Sequence, residues 1–274
     1  MTENLFLQDQ AVSFHRPYPA SLTALHEKQP EQGIFYRQDG TPFLKLWMKN
    51  ACDVKIVIGQ DTYILLEVER NLWEVKLPLE PGFYYAALYV DSVEIVSPYL
   101  PIGYGYSRPC NYLEIGPAME ACRLKDVLHG SIRHEYFYSE VTGQTESCLV
   151  YAPPGYDRDQ LRLPVLYLQH GHGENEQCWV HQGRVNFIMD NLIAAGKAEP
   201  CIVVMNNGMV QKNENGVRVL DQTRIERLLL EDCIPFIESH YRVRTDKWSR
   251  AMAGLSMGSM QTSIVTMKHP DMFG

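Results

Sequence analysis

The sequence predicts an antiparallel β-sandwich with its tail and linker over residues 1–118, followed over residues 119–274 by an α/β domain, a mostly parallel sheet with helices on both faces. Three observations carry this. Short runs rich in β-branched and aromatic residues, separated by turn signals, fill the first part. After Leu128 the rhythm changes to short apolar strands alternating with amphipathic helices, the pattern of a parallel sheet covered on both sides. The last such strand runs into Gly254-Leu255-Ser256-Met257-Gly258, a glycine-flanked serine at a strand-to-helix junction.

In the first part, Asp39-Gly40, Gly59-Gln60-Asp61, Pro81-Gly82 and Asp91-Ser92 are turn signals. Between them Phe43 to Met48, Val54 to Ile58, Tyr63 to Val68, Trp73 to Leu77 and Phe83 to Val90 read as strands of a small sandwich. Pro98 to Cys122, rich in Pro, Gly and Tyr and without periodicity, reads as a last sandwich edge followed by a linker.

In the second part, Ile132 to Ser139 and Glu146 to Ala152 flank Val141-Thr142-Gly143-Gln144 as a hairpin. Pro164 to Gln169, Cys201 to Met205 and Arg250 to Leu255 are apolar strands. Val185 to Ala195 is an amphipathic helix with Val185, Ile188, Met189, Leu192 and Ile193 on one face. Ile225 to His240 turns Ile225, Leu228, Leu229 and Phe236 toward the sheet, and Gly258 to Lys268 is a third helix. The polar, glycine-bearing stretch Asn207 to Gln222 follows a strand's C-terminal end, where open α/β sheets bind ligands. It is expected near the substrate or as a disordered surface loop.

Composition narrows the partners. An apolar content of 45% and a charged content of 21% are those of a soluble globular protein. A net charge of -8 argues against nucleic acid or an anionic membrane. The longest apolar stretches, such as Tyr84 to Val90, are too short to span a bilayer. Met1 to His15 has acids at Glu3 and Asp9 and no basic start before an apolar run, so no signal peptide is expected. Seven scattered cysteines without a C-x-x-C pair suggest neither a disulfide framework nor a zinc site. Reduced, mostly buried thiols in a cytoplasmic protein are expected, with no metal and no cofactor.

The chemistry resides in two motifs. In Gly254-Leu255-Ser256-Met257-Gly258 a sharp turn would hold Ser256 in a strained conformation, and side chains at 254 and 258 would collide with it. The helix behind then offers unpaired N–H groups to a developing oxyanion. By composition alone such a pentapeptide arises in roughly one such chain in sixteen, so its strand-to-helix setting carries the argument. The second motif, His170-Gly171-His172-Gly173, follows an early strand and can aim a backbone N–H at the same oxygen. A structural glycine turn or a histidine metal pair are the competing readings, the latter without further ligands at suitable spacing.

Leu163 to Trp179, Val185 to Lys197, Cys201 to Asn206, Tyr241-Arg242-Val243 and the run Arg250 to Gly258 together resemble the esterase D group of α/β-hydrolases, which includes feruloyl and acetylxylan esterases and siderophore esterases. The resemblance covers about Ser131 to Gly274. Trp73 to Val90, with Pro81-Gly82-Phe83-Tyr84-Tyr85, resembles an early-set, glycogen-binding-like module. The first resemblance implies Ser256 as nucleophile, with the backbone N–H groups of Met257 and His172 as oxyanion donors. It also implies a small-molecule or oligosaccharide ester as substrate.

In that group the acid and the histidine of the triad follow the serine, and here only Met257 to Gly274 does. His269 and Asp271 fall at the far end of the last helix, about 15 Å or more from Ser256 at 1.5 Å per residue. The resemblance therefore implies an α/β-hydrolase cut after its nucleophile helix, without triad Asp and His, and little or no activity from these residues alone. Three readings of function follow: an esterase for feruloyl or acetyl groups on carbohydrates, a siderophore (catecholate lactone) esterase, and a non-catalytic carbohydrate-binding remnant. Trp47 and Tyr63 are the aromatics weighed for sugar stacking against core packing.

Overall fold

A computed structural model describes residues 31–116 and 120–274. The reading of Met1 to His15 and the predicted boundary at residues 118 and 119 lie outside or at the edge of these residues. The chain divides after Glu120 into two compact units.

Among the described residues the first unit holds ten strands: β1 (Gly33–Tyr36), β2 (Pro42–Trp47), β3 (Val54–Ile58), β4 (Asp61–Ile64), β5 (Leu66–Glu69), β6 (Leu72–Lys76), β7 (Gly82–Val90), β8 (Val93–Ile95), β9 (Ile102–Gly105) and β10 (Arg108–Ile115). They form two antiparallel sheets, β1-β2-β6-β5 and β4-β3-β7-β10-β9, with β8 paired to β7. Alternate residues of both sheets meet in one apolar cluster: Leu44, Leu46 and Trp73 from the first, Val54, Ile56, Leu88 and Leu113 from the second. Tyr63 packs against this cluster, and Trp47 is half-buried.

Two predictions change here. The single strand Tyr63 to Val68 is two strands in different sheets, β4 and β5, because the chain crosses between them at Leu65. Leu65 is 1% exposed and its N–H bonds Val54 O at 2.9 Å, so burial of one side chain fixes the crossing. Pro98 to Cys122, predicted as a last sandwich edge followed by a linker, does supply an edge strand, β9, but continues into β10, seated between β7 and β9, where a linker was expected. The turn between β9 and β10 is Tyr106-Ser107, both at positive φ (53° and 62°), without the glycine or asparagine that would have announced it.

The second unit is one five-stranded sheet of order β11-β12-β14-β13-β17. Its strands are β11 (Ser131–Ser139), β12 (Gln144–Ala152), β13 (Val165–Gln169), β14 (Ile202–Asn206) and β17 (Arg250–Gly254). The expectation of a mostly parallel sheet is corrected: β14, β13 and β17 are parallel, but the β11–β12 hairpin joins the same sheet antiparallel to β14. The polar stretch 207–222 is also ordered as a hairpin, β15 (Gln211–Glu214) and β16 (Val217–Leu220), turning at Asn215-Gly216.

Helices cover both faces. Helix α1 (Cys178–His181) and α2 (Val185–Ala194) lie on the face where Val185 and Trp179 meet Tyr151, Leu168, Val203 and Met205. On the other face Tyr167, Ile202 and Val204 pack under α3 (Ile225–Arg227), a π-helical turn Leu228–Cys233, α4 (Ile234–His240) and, through Val265, α5 (Met257–Lys268). The predicted helix Ile225 to His240 is thus interrupted just before Pro235, which has no N–H to donate. On α2 Val185 of the predicted face is buried and Met189 packs against the same cluster, Ile188, Leu192 and Ile193 are half-buried, and Asp190 and Asn191 are buried as well. Asp190 tolerates burial because it accepts from Tyr151 Oη (2.7 Å), Gly130 N (2.9 Å) and His129 Nδ1 (2.8 Å). Burial, and then its hydrogen bond to the Asp190 carboxylate, push the Tyr151 phenol well above its usual pKa.

Candidate active site

The site is built where β17 stops. Leu255 N still bonds Gln169 O (3.2 Å), continuing the ladder to β13, and the next residue reverses the chain. Ser256 has φ 51° and ψ -113°, a conformation that costs a non-glycine residue about 1–3 kcal/mol. A side chain at 254 would place its Cβ 2.4 Å from Gly258 C, and one at 258 would sit 2.6 Å from Gln169 O. Both glycines are therefore required by contact, as the motif predicts. Ser256 is exposed, while Met257 behind it is 6% exposed.

The turn leaves one amide unspent. Gly258 N bonds Leu255 O (2.8 Å), and Ser259 N and Met260 N both bond Ser256 O (3.0 and 3.2 Å). Among the described residues no such bond involves Met257 N, which lies at the N-terminus of α5, where the helix dipole favours negative charge.

His170-Gly171-His172-Gly173 follows β13 directly beside this turn, since a Cβ on Gly171 would lie 3.8 Å from Leu255 O. His170 is 1% exposed, and both ring nitrogens are engaged: Nε2 accepts from Gly208 N (2.9 Å), and Nδ1 faces Gly171 O (2.7 Å). It is a fastener, not a base. Gly171 N donates to Glu174 Oε2 (2.8 Å), and the indole of Trp179 donates to Gln169 O (2.9 Å). His172 is exposed, and Gly173 takes the positive φ of 77° that bends the turn.

No hydrogen bond reaches the Ser256 hydroxyl among the described residues. His269 is held by Glu226 (2.8 Å) at the far end of α5, as its position predicted. Arg250, at the start of β17, is 5% exposed and binds Glu238, Thr245 O (3.0 Å) and Met272 O (2.8 Å). Asn207, Met209 and Gln211 line a shallow groove with Gln144, Thr145 and Glu146 at the C-terminal end of β14. Sequence reasoning missed the roles of Glu174 and Gly208. Gly208 meets His170 across 38 positions of chain, which no local pattern signals, whereas Glu174 closes the turn on Gly171 only three residues before it.

A strained serine at a strand-to-helix turn, backed by a helix N-terminus and flanked by a glycine turn, is the arrangement in which α/β-hydrolases hold a nucleophilic serine. Among known proteins, those similar to this chain include carboxylic ester hydrolases. Residues 139–274 match the family described as putative esterase. An endo-1,4-beta-xylanase/feruloyl esterase of Xylanibacter ruminicola is 39% identical over 240 residues, 82% of this chain and 33% of that protein. The chain thus spans about a third of the length of that relative. Among solved structures, a ferulic acid esterase from Anaeromyces mucronatus matches at a TM-score of 0.53 and 24% identity, over 58% of this chain and 61% of its own. The enterobactin esterase of Shigella flexneri matches at a TM-score of 0.65 and 10% identity, over 93% of this chain and 73% of its own, a likeness of fold.

Proposed function

We propose that Ser256 is the nucleophile of an esterase that removes feruloyl or acetyl groups from carbohydrates. The hydroxyl attacks the ester carbonyl, and the N–H groups of Met257 and His172 hold the oxyanion of the tetrahedral intermediate. Its collapse expels the alcohol, protonated through a general base, and leaves an acyl-enzyme that water then hydrolyses to the free acid. The strained backbone of Ser256, with its unspent neighbouring amide, carries this reading. The substrate class is supported by the 39% identical relative, whose name joins xylanase to feruloyl esterase. We assign the first unit, with its two antiparallel sheets around one core, to an early-set-like module that contacts the carbohydrate.

The serine has no base among the residues bonded to it. A site in that condition keeps only the contribution of substrate binding and oxyanion stabilisation, of order 10³-fold to 10⁴-fold over water. These 274 residues alone therefore hydrolyse esters slowly. Imidazole added to the medium can act as the absent base. Release of ferulate from methyl ferulate, and of acetate from acetylated xylo-oligosaccharides, is expected to rise with imidazole concentration. Ser256→Ala is expected not to respond. A wild-type chain no more responsive than Ser256→Ala would refute the assignment.

The fold match over 93% of the chain favours a second reading, a catecholate lactone esterase. The net charge of -8 weighs against it, since a ferric catecholate is itself strongly anionic. Imidazole-dependent cleavage of a catecholate trilactone, with methyl ferulate untouched, would decide for the second.

A further inference from the structure

Behind the serine turn, the peptide of Gly208 is gripped from two sides. Its N–H donates to His170 Nε2 at 2.9 Å, and its carbonyl accepts from Gln261 Nε2 at 3.0 Å. His170 belongs to the glycine turn and Gln261 to α5. Beside them Gln169 Nε2 donates to Asn206 Oδ1 at 2.7 Å. Gln169, Asn206 and Gln261 are 0%, 1% and 3% exposed.

Each of these three amides keeps one buried atom without a partner in the protein: Gln169 Oε1, Asn206 Nδ2 and Gln261 Oε1. Buried amide atoms of this kind are almost always satisfied in folded proteins, by protein or by internal water. The two oxygens converge. A Cβ on Gly208 would lie 2.8 Å from Gln261 Oε1 and 3.5 Å from Gln169 Oε1.

Counting donors and acceptors identifies the ligand. Two acceptors lie beside Gly208, and the one unpartnered donor, Asn206 Nδ2, belongs to the amide bonded to Gln169. Turning both amides of the Gln169–Asn206 pair preserves their mutual bond and again leaves one donor and one acceptor. Gln261 cannot turn, because its nitrogen serves the Gly208 carbonyl. A cation would face an N–H, and an anion would face two oxygens. Water donates twice and accepts once.

We propose that Gln169, Asn206 and Gln261 bind one internal water beside Gly208, and that this water completes a clasp between the glycine turn and the nucleophile helix. The three atoms come from β13, β14 and α5, the elements that carry or flank the two oxyanion donors. The clasp is a positioning device, and its occupancy does not depend on the reactivity of Ser256.

The test uses the whole chain. A crystal structure that resolves internal waters is expected to show one within about 3.2 Å of all three atoms. In solution, water-edited NMR spectra of ¹⁵N-labelled protein are expected to show transfer from a long-lived water to the side-chain amide of Asn206 or Gln169. Gln261→Met removes an acceptor and the grip on Gly208, and the transfer is expected to vanish. Ser256→Ala is expected to retain it, so loss of esterase function and loss of the water are separate results. A wild-type crystal with the three atoms bonded to protein groups, or with no density between them while other internal waters are seen, would overturn the proposal whatever the variants do.

Discussion

Replacing Gly258 by alanine sets two effects of opposite sign against each other. Gly258 is the second residue of α5, and alanine is favoured over glycine inside a helix by about 1 kcal/mol. The added Cβ, however, would stand 2.6 Å from Gln169 O and 2.8 Å from both Gln169 C and Cβ. Gln169 cannot easily retreat. It lies on the central part of the sheet, and its carbonyl already holds Leu255 N and the Trp179 indole. Overpacking costs roughly 1–3 kcal/mol, and contact with fixed backbone argues for the upper end. The net loss is then about 2 kcal/mol, which lowers the melting temperature of a unit of this size by about 4–8 °C. Thermal unfolding of Gly258→Ala, followed by circular dichroism beside the exposed control Ser263→Ala, measures this. Gly258→Ala melting at or above the wild type would show that the strand and helix are not in the contact described.

Ser256→Gly should relieve the strained backbone and stabilise the chain by about 1 kcal/mol in urea titrations, whereas Ser256→Ala should not. Arg250→Met should cost about 2–3 kcal/mol in the same assay, because it strands Glu238 and two backbone carbonyls. Glu226 carries the pH prediction. Its hydrogen bond from Lys268, then that from His269, holds its carboxyl below the usual value of 4.5. A depressed carboxylate contributes stability that is complete above the usual value and is lost as the pH falls through the lowered one. The melting temperatures of wild type and Glu226→Gln should therefore differ near neutral pH and converge in acid. Parallel curves across that range would contradict the pairing.

What could be read from the sequence was what is local. Ser256, Gly254 and Gly258 were legible because the turn's own geometry dictates glycine at those two places. The strands β13, β14 and β17 were legible because each is a short, largely apolar run. The antiparallel attachment of β12 to β14 was not, since it pairs Leu149 with Met205 across a long stretch of chain. The β9–β10 hairpin hid behind Tyr106-Ser107, a turn without the usual residues. Asn215-Gly216 did announce the β15–β16 hairpin, and the polarity of the surrounding stretch masked it. The apolar face of α2 was legible in part, through Val185 and Met189, but periodicity counts apolar residues and could not show Asp190, which is buried among three hydrogen-bond donors.

The central claim is that the bend at Ser256 lifts one hydroxyl to the sheet's rim, next to amides able to hold negative charge. Phosphonylation by a fluorophosphonate, run with imidazole present and mapped by peptide mass spectrometry, tests it most directly. Modification concentrated on Ser256, with Ser259 and Ser263 of the same helix unmodified and Ser256→Ala blank, is the expected result. Modification spread evenly over exposed serines, or none at Ser256, would contradict it.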